Sequence, residues 1–362
     1  VTSGKFLPPA PSTTPGALLE VRGLQVDLPT RHGMARAVRG VDFTLARGGT
    51  IGLVGESGCG KSLTAMALMG LLPEGARATG RVRFDGQELL DMPDAGLARL
   101  RGRRIAMVFQ EPMTALNPVH TIGAQVAEPL RRHLGMARAE ARARAVALLD
   151  RVGIPRAAQR FDAYPHEFSG GQRQRITIAM ALACGPDVLI ADEPTTALDA
   201  TVQRQILELI AGLVAERGMA LVLISHDLGV VAQNVERVLV MYGGSVVEDG
   251  PTREVFAHRA HPYTHGLFAA RPRWTEEAGS AAGGSRARLP TIPGTVPEIG
   301  ALPPGCPFAG RCAFTVADCD AGLPVPVEVG PAHHARCIRL EAVEAAQTAE
   351  AAQTAEAAEA RR

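Results

Sequence analysis

From Leu18 the chain alternates apolar and polar residues, LLEVRGLQVDL, which is the period of a strand with one buried face. The text runs on through AVRGVDFTLARGG to TIGLVG, an apolar run suited to a strand buried on both faces. A Gly-rich stretch then gives way to KSLTAMALMGLL, whose Ala, Leu and Met favour a helix, so the segment predicts a β-loop-α unit. Residues 111–165 read as mostly helical, with Ala/Arg/Leu periodicity over 138–152. DVLIADEP and MALVLISHD are short β-branched runs followed by helical text, the pattern of parallel strands joined by helical crossovers. RVLVMYGGSVVEDG has the form of a hairpin closing that sheet. The prediction is an α/β fold.

Composition then divides the chain. The opening VTSGKFLPPAPSTTPG lacks the apolar core of a secretory signal, so residues 1–16 are expected to be a flexible lead-in. A large α/β body over 17–257, helical about 111–180, precedes a smaller extension over 258–340, in which 271–305 is rich in Gly, Pro, Ser and Ala. The tail, 341–362, carries AAQTAE twice and is too short and Ala-rich to bury a core, so a frayed helix or disorder is expected. No uncharged apolar run approaches the roughly 20 residues that span a bilayer, and the chain reads as cytosolic. Lys+Arg number 38 against 37 Asp+Glu, a net charge of +1 that supplies no field for a polyanion and argues against a general nucleic-acid binder.

GESGCGKS fits G-x-x-x-x-G-K-[ST] and falls between a strand and a helix, where a phosphate-cradling loop must lie. Its residues are Gly55, Glu56, Ser57, Gly58, Cys59, Gly60, Lys61 and Ser62, with Leu63 following. The glycines let backbone N–H groups curl around phosphates, and the helix start adds partial positive charge. Lys61 is placed to reach the β- and γ-phosphates and Ser62 to ligate Mg²⁺. The only lysines are Lys5 and Lys61, so a chain that otherwise uses arginine has a compact ammonium where a planar guanidinium would crowd the loop. Downstream, VLIADE delivers Asp192 and Glu193 at a strand's C-terminal end, where open α/β sheets bind ligands. Asp192 suits the Mg²⁺ shell and Glu193 suits a general base for the attacking water.

With FSGGQ, Phe168 to Gln172, the chain resembles the ATP-binding cassette family, whose signature motif usually has Leu in place of Phe168. Gln110, ending IAMVFQ, resembles the family's Q-loop glutamine; Ala197-Leu198-Asp199 its D-loop; and His226 in LISHD its switch histidine. The resemblance covers roughly residues 18–250. It implies a P-loop cassette with a RecA-like core, an antiparallel β subdomain and a helical subdomain. It further implies that two cassettes sandwich two ATP molecules, with Ser169, Gly170, Gly171 and Gln172 meeting the nucleotide held by the partner, and Asp199 lying beside it. Glu193, His226 and Gln110 would serve hydrolysis, with Ser62, Gln110 and Asp192 around Mg²⁺. One cassette has half of each composite site, so a second ATPase subunit, in a heterodimer, is expected. Many cassettes stack adenine on an aromatic residue of the first strand region; here it reads VDLPTRHGMA, which leaves aliphatic contact near Leu28, or His32.

Three features resemble the oligopeptide/dipeptide/nickel importer branch: QEPMTALNPVHTIGAQVAEPL after Gln110, HPYT at 261–264, and IPGTVP…LPPGCPFAGRC with two further cysteines. The resemblance implies a peripheral subunit on the cytoplasmic face of the membrane, two membrane permease subunits contacted around residues 111–130, and an extracytoplasmic substrate-binding protein. The cargo it implies is a di- or oligopeptide, with nickel, opines or oligosaccharides as alternatives. A soluble cassette acting on DNA or ribosomes would want tandem cassettes, a long coiled coil or a basic insertion, and none is present. Cys306, Cys312, Cys319 and Cys337 read C-x₅-C-x₆-C-x₁₇-C. Four thiolates suit a [4Fe–4S] cluster or Zn²⁺, and the loose spacing favours the cluster. Its expected purpose is a structural staple. His333 and His334 are expected to be solvated loop residues, and Cys59 and Cys184 packing residues.

Overall fold

The computed structural model describes residues 16–111, 115–196, 198–270 and 291–359. The expectations for residues 1–15, for 271–290, for Ala197 and for the last three residues lie outside the described part, as do 112–114 within the expected permease contact.

Two sheets carry the fold. The smaller is antiparallel, in the order β2-β1-β4-β5, from β1 (Ala17–Thr30), β2 (Gly33–Ala46), β4 (Arg77–Phe84) and β5 (Gln87–Glu88). The larger has the order β11-β12-β10-β9-β3-β8-β7-β6. Its parallel part is β9 (Arg237–Tyr242), β3 (Thr50–Val54), β8 (Ala220–Ser225), β7 (Val188–Asp192) and β6 (Ile105–Val108).

The central strands are apolar throughout because both faces are covered, and their period of two assigns each residue a side. Ile51, Leu53, Ile190, Val222, Ile224 and Leu239 join one core with the antiparallel sheet and the helix α1 (Lys61–Met69). Leu189, Ala191, Leu221, Leu223, Val238 and Val240 join the other, against helices. These helices include α3 (Ile122–Leu134), α4 (Arg138–Arg151), α6 (Gly170–Ala181), α7 (Ala200–Arg217) and α8 (Leu228–Asn234). Between them lie the shorter α2 (Asp94–Leu100) and the one-turn α5 (Ala157–Arg160). This is the P-loop cassette architecture that the motifs imply. Among the described residues no helix is long and apolar enough to cross a membrane.

The hairpin of β9 with β10 (Ser245–Pro251) does not close the sheet. β12 (His333–Ala335) pairs antiparallel with β10, and β11 (Val327–Gly330) pairs with β12. The cause is a buried carboxylate. Glu248, 1% exposed, accepts from the backbone N–H of Ala260 at 2.8 Å and His261 at 2.9 Å, and lies 2.8 Å from His333 Nε2. A buried carboxylate persists only when paired and hydrogen-bonded, and here the pairing joins cassette to extension. His333 is therefore a fully buried strand residue, not a solvated loop residue; His334 has Nδ1 3.8 Å from an Asp249 oxygen.

Between β10 and the extension lie α9 (Thr252–His258) and α10 (Pro262–Ala269). The tail is helical, α11 (Leu340–Glu359); Val343 is buried at its start and Gln347 donates to the Arg259 carbonyl at 2.9 Å.

His261 caps α10, its Nδ1 accepting from the Tyr263 N–H at 3.1 Å, a role that needs the neutral ring. Burial pushes its imidazole down to about 4, against the partial offset of Glu248. The folded value lies below the unfolded one, so the stabilisation is complete above about pH 6.5 and is lost as pH falls toward 4. Urea titrations should therefore show native protein losing on the order of 2 kcal/mol more than His261→Asn between pH 7 and 4, since asparagine caps without titrating. Parallel losses in the two proteins would contradict a neutral, buried His261.

Candidate functional site

The phosphate loop joins β3 to α1. Its first residue, Gly55, must lack a side chain: a Cβ there would sit 2.2 Å from the Met241 carbonyl oxygen on β9. Gly60 precedes α1 in the left-handed region, at φ +98°, and no side chain caps the helix. Lys61 is 5% exposed, and its Nζ donates to the carbonyls of Gly55 at 2.8 Å and Glu56 at 3.1 Å. The lysine thus lies inside the curl of the loop, with its charge satisfied by backbone oxygen. Cys59 is buried beside it, Sγ 3.7 Å from Nζ, as a packing residue.

Two carboxylates face this loop from the end of β7. Ser62 Oγ donates to Asp192 Oδ1 at 3.0 Å. Burial lifts the Asp192 carboxyl above its usual range and the adjacent Glu193 adds to this, while Ser62 and Lys61 oppose it. Such a group gains most from a nearby cation. Glu193 has φ +44°, unusual for a side-chain-bearing residue, and its N–H donates to the Ile224 carbonyl at 3.0 Å. Its Oε2 accepts from Gln110 Nε2 at 3.2 Å and Thr196 Oγ1 at 3.0 Å, and lies 3.3 Å from His226 Nδ1. Three residues from three different strand ends and turns converge on one oxygen.

These groups enclose a cavity of about 570 Å³. Ser57, Gly58, Gly60, Lys61, Ser62 and Leu63 form one side, and Gln110, Glu193 and His226 the other. The arrangement can hold a polyphosphate against the helix start and place a carboxylate next to a hydrolysable bond.

Not all the residues singled out in the sequence gather here. Ser169 and Gln172 form a capping box at the start of α6, with Ser169 Oγ accepting from Gln172 N–H and Gln172 Oε1 from Ser169 N–H, each at 3.3 Å. Ser169 and Gly170 are exposed, and neither they nor Gly171 and Gln172 line the cavity. Phe168 anchors this turn in the core beneath the Arg160 guanidinium. Asp199 caps α7, accepting from Thr201 and Val202. Leu28 packs against the core and His32 lies in the β1–β2 turn; neither lines the cavity.

Several residues escaped sequence reasoning. Thr196 holds Glu193, and Ile299, from a one-turn helix in the extension, lines the cavity. Tyr263 of HPYT accepts the Glu56 N–H at 2.8 Å, so that motif touches the phosphate loop rather than merely forming a turn. Arg311 meets the Glu56 carboxylate, at 2.7 Å and 3.2 Å. Only HPYT left a sequence signal, and it pointed to a family rather than to a contact.

The four extension cysteines are free thiols, with Cys306 and Cys319 buried. Among the described residues no group of three or more His, Cys, Asp or Glu is gathered so as to hold a metal ion. Four cysteine sulfurs are nevertheless a donor type that iron and zinc accept. Burial pushes the Cys306 thiol up to about 11, with the charges of the other three thiols adding to it. Backbone N–H groups of Phe314 and Arg339 donate to the sulfurs of Cys312 and Cys337, at 3.4 Å and 3.3 Å. Burial outweighs these N–H groups and holds the Cys312 and Cys337 thiols, like that of Cys306, above the ordinary range, so the thiols stay protonated until a metal displaces the protons.

Residues 38–196 match the family described as ABC transporter, and residues 247–319 match the oligopeptide/dipeptide transporter C-terminal region. A Brucella melitensis biotype 1 protein, a peptide import ATP-binding protein by name, is 49% identical over 335 residues, covering 91% of this chain and 98% of its own. A Brucella abortus (strain 2308) protein with the same type of name is 52% identical over 309 residues, covering 85% and 91%. Among solved structures, the ATP-binding cassette MJ0796, a dimer in a post-hydrolysis state bound to ADP and Pi, aligns with TM-score 0.59 and 28% identity. That alignment covers 65% of this chain and 99% of that one. The cbiO1 protein of Clostridium perfringens, part of the transporter complex cbiONQ, aligns with TM-score 0.57 and 30% identity, covering 67% and 92%.

Proposed function

The chain belongs to the ATP-binding cassette transporter family, in the branch carrying the oligopeptide/dipeptide transporter C-terminal region, and from that premise we propose that it drives import of di- and oligopeptides across the cytoplasmic membrane. ATP hydrolysis is its chemistry. The observation that carries the site assignment is the convergence of Gln110, Thr196 and His226 on Glu193 Oε2, opposite the phosphate loop.

In this reading the loop amides from Ser57 to Lys61 bind the β- and γ-phosphates, and Lys61 exchanges its backbone carbonyl partners for phosphate oxygen. Ser62 and Asp192, with Gln110, would hold Mg²⁺, which neutralises phosphate charge when bound. Glu193 takes a proton from a water molecule as the water oxygen bonds to the γ-phosphorus. The bond from that phosphorus to the β,γ-bridging oxygen breaks, leaving ADP and phosphate. Thr196 and Gln110 fix the aim of the carboxylate, and His226 contacts the γ-phosphate and orients the water.

The partners follow from what the chain presents outward. Ser169 to Gln172 start α6 away from their own cavity, suited to the nucleotide of a second cassette, in a heterodimer, with Asp199 beside that interface. An apolar groove of about 620 Å³ lies between the end of α1, β6, α3 and α6, with Phe109 at its rim 42% exposed. It suits a cytoplasmic helix from one of two permease subunits, which would make this a peripheral subunit at the cytoplasmic face. An extracytoplasmic binding protein would deliver the peptide. The four cysteine thiolates would hold a [4Fe–4S] cluster, or Zn²⁺ in its place, as a staple for a loop-rich segment.

Two experiments test these readings. In proteoliposomes holding the complete transporter, Glu193→Gln should cut ATP hydrolysis and labelled-dipeptide uptake at least about a hundredfold while the ATP-bound cassette pair persists. Near-normal hydrolysis removes Glu193 from its role, and native-level hydrolysis with uptake of nickel but no peptide removes the peptide cargo. Cys312→Ser should lower the iron or zinc content of anaerobically purified protein and raise protease sensitivity beyond residue 300 before that of the cassette. Unchanged metal content would remove the cysteine site.

A further inference from the structure

Glu56, second in the phosphate loop, is held by the Cys59 N–H on its carbonyl at 3.3 Å and by three side chains. Its carbonyl accepts from Lys61 Nζ at 3.1 Å, and its N–H donates to Tyr263 Oη at 2.8 Å. Its carboxylate receives a two-pronged contact from Arg311, Nη1 to Oε2 at 2.7 Å and Nη2 to Oε1 at 3.2 Å. Arg311 lies 255 residues away, in the one-turn helix Ala309–Arg311 immediately before Cys312. The Arg311 side chain is 6% exposed and that of Glu56 30%, so a buried guanidinium meets a partly exposed carboxylate.

The remaining guanidinium hydrogens are also committed. Nε donates to the Pro293 carbonyl at 2.7 Å, and Nη2 lies 3.4 Å from the carbonyls of Ile292 and Gly294. Nη1 lies 3.4 Å from Tyr242 Oη. Tyr242 in turn packs against Tyr263 and against Phe308 of the extension, with ring centres 4.7 Å and 5.1 Å apart. Arg311 therefore links the folded extension to one residue of the phosphate loop through a rigid, planar fork.

The charge at that point is costly for a nucleotide site. Glu56 does not itself line the cavity, but it directly precedes Ser57 and Gly58, which do, so an uncancelled negative charge there opposes a polyanionic phosphate chain bound at the loop. Nothing in a phosphate-cradling loop requires acid at Glu56, whereas its pairing with Arg311 cancels the charge and fixes the loop's first turn.

We infer that Arg311 is a positioning residue for ATP: the cysteine-bearing extension supplies a guanidinium that neutralises Glu56, so nucleotide affinity depends on a charge pair that the extension brings to the loop. The inference rests on the ATP site described above and adds a second, distant part of the chain to it. Ile299, reaching the same cavity from the same extension, is consistent with this dependence.

The test is equilibrium binding of a fluorescent methylanthraniloyl-ATP to the full-length chain with Mg²⁺, for native protein, Arg311→Ala, and Arg311→Ala combined with Glu56→Gln. Arg311→Ala should weaken binding about tenfold. Removing the Glu56 charge in the double variant should return affinity to within about threefold of native, because the carboxylate left unpaired is gone. In the complete transporter the single variant should raise the KM for ATP with kcat changed less than about twofold. Native affinity in Arg311→Ala overturns the inference and leaves the ATP site intact. Weakened binding that the second substitution fails to rescue also overturns it, since Arg311 would then act only by holding the extension together. Native protein that binds no nucleotide overturns the inference and the ATP reading together.

Discussion

The backbone from Gly55 to Gly60 has to curve tightly enough to turn its amides inward, and the rest of the molecule holds that curve from several sides. Beneath it, β9 presses the Met241 carbonyl into the space where any residue but glycine at 55 would carry a Cβ. Inside it, Lys61 binds two loop carbonyls. Outside it, Tyr263 and Arg311 take the N–H and carboxylate of Glu56. A glycine-rich backbone keeps one shape only when its surroundings fix it, and here those surroundings come from as far apart in the chain as Lys61 and Arg311. The parallel sheet supplies the base, because strands buried on both faces end together and bring Val54, Asp192 and Ser225 to one edge.

Much of this was legible in the chain before any coordinates. The change from period two to helical text on either side of GESGCGKS located the loop, and an apolar strand ending in Asp192-Glu193 located the acidic pair, since both signals are local. The order of the remaining motifs added Gln110, Ser169 and His226. What the sequence could not show were contacts that leave no local period. Thr196 is one of many threonines after a strand. Glu193 takes a left-handed backbone angle that no neighbouring residue announces. The Arg311–Glu56 pair spans 255 residues and uses residue types that are usually solvated.

The extension shows the same limit in another form. Its Gly/Pro-rich lead and scattered cysteines read as a loop-rich appendage, yet β12 adds to the main sheet and His333 is buried on Glu248. A three-residue strand carries no readable alternation, and a histidine–glutamate pair across 85 residues gives no periodic signal. The functional consequence is that the extension is a continuation of the cassette's sheet and of its helix-side core, which Phe308, Ala309 and two of the cysteines enter. Changes in the cysteine segment are thereby mechanically close to the phosphate loop, while Ser169 and Gly170 stay exposed at the start of α6.

The central claim is that cassette and extension meet at the phosphate loop and respond to nucleotide as one unit. Amide hydrogen exchange on the full-length chain, with and without Mg²⁺ and a non-hydrolysable ATP analogue, tests it directly. Slowed exchange in residues 55–62 together with 261–263 and 299–312 is the predicted result. Slowed exchange in 55–62 with the two distant segments unchanged would contradict the claim and reduce the extension to a passenger.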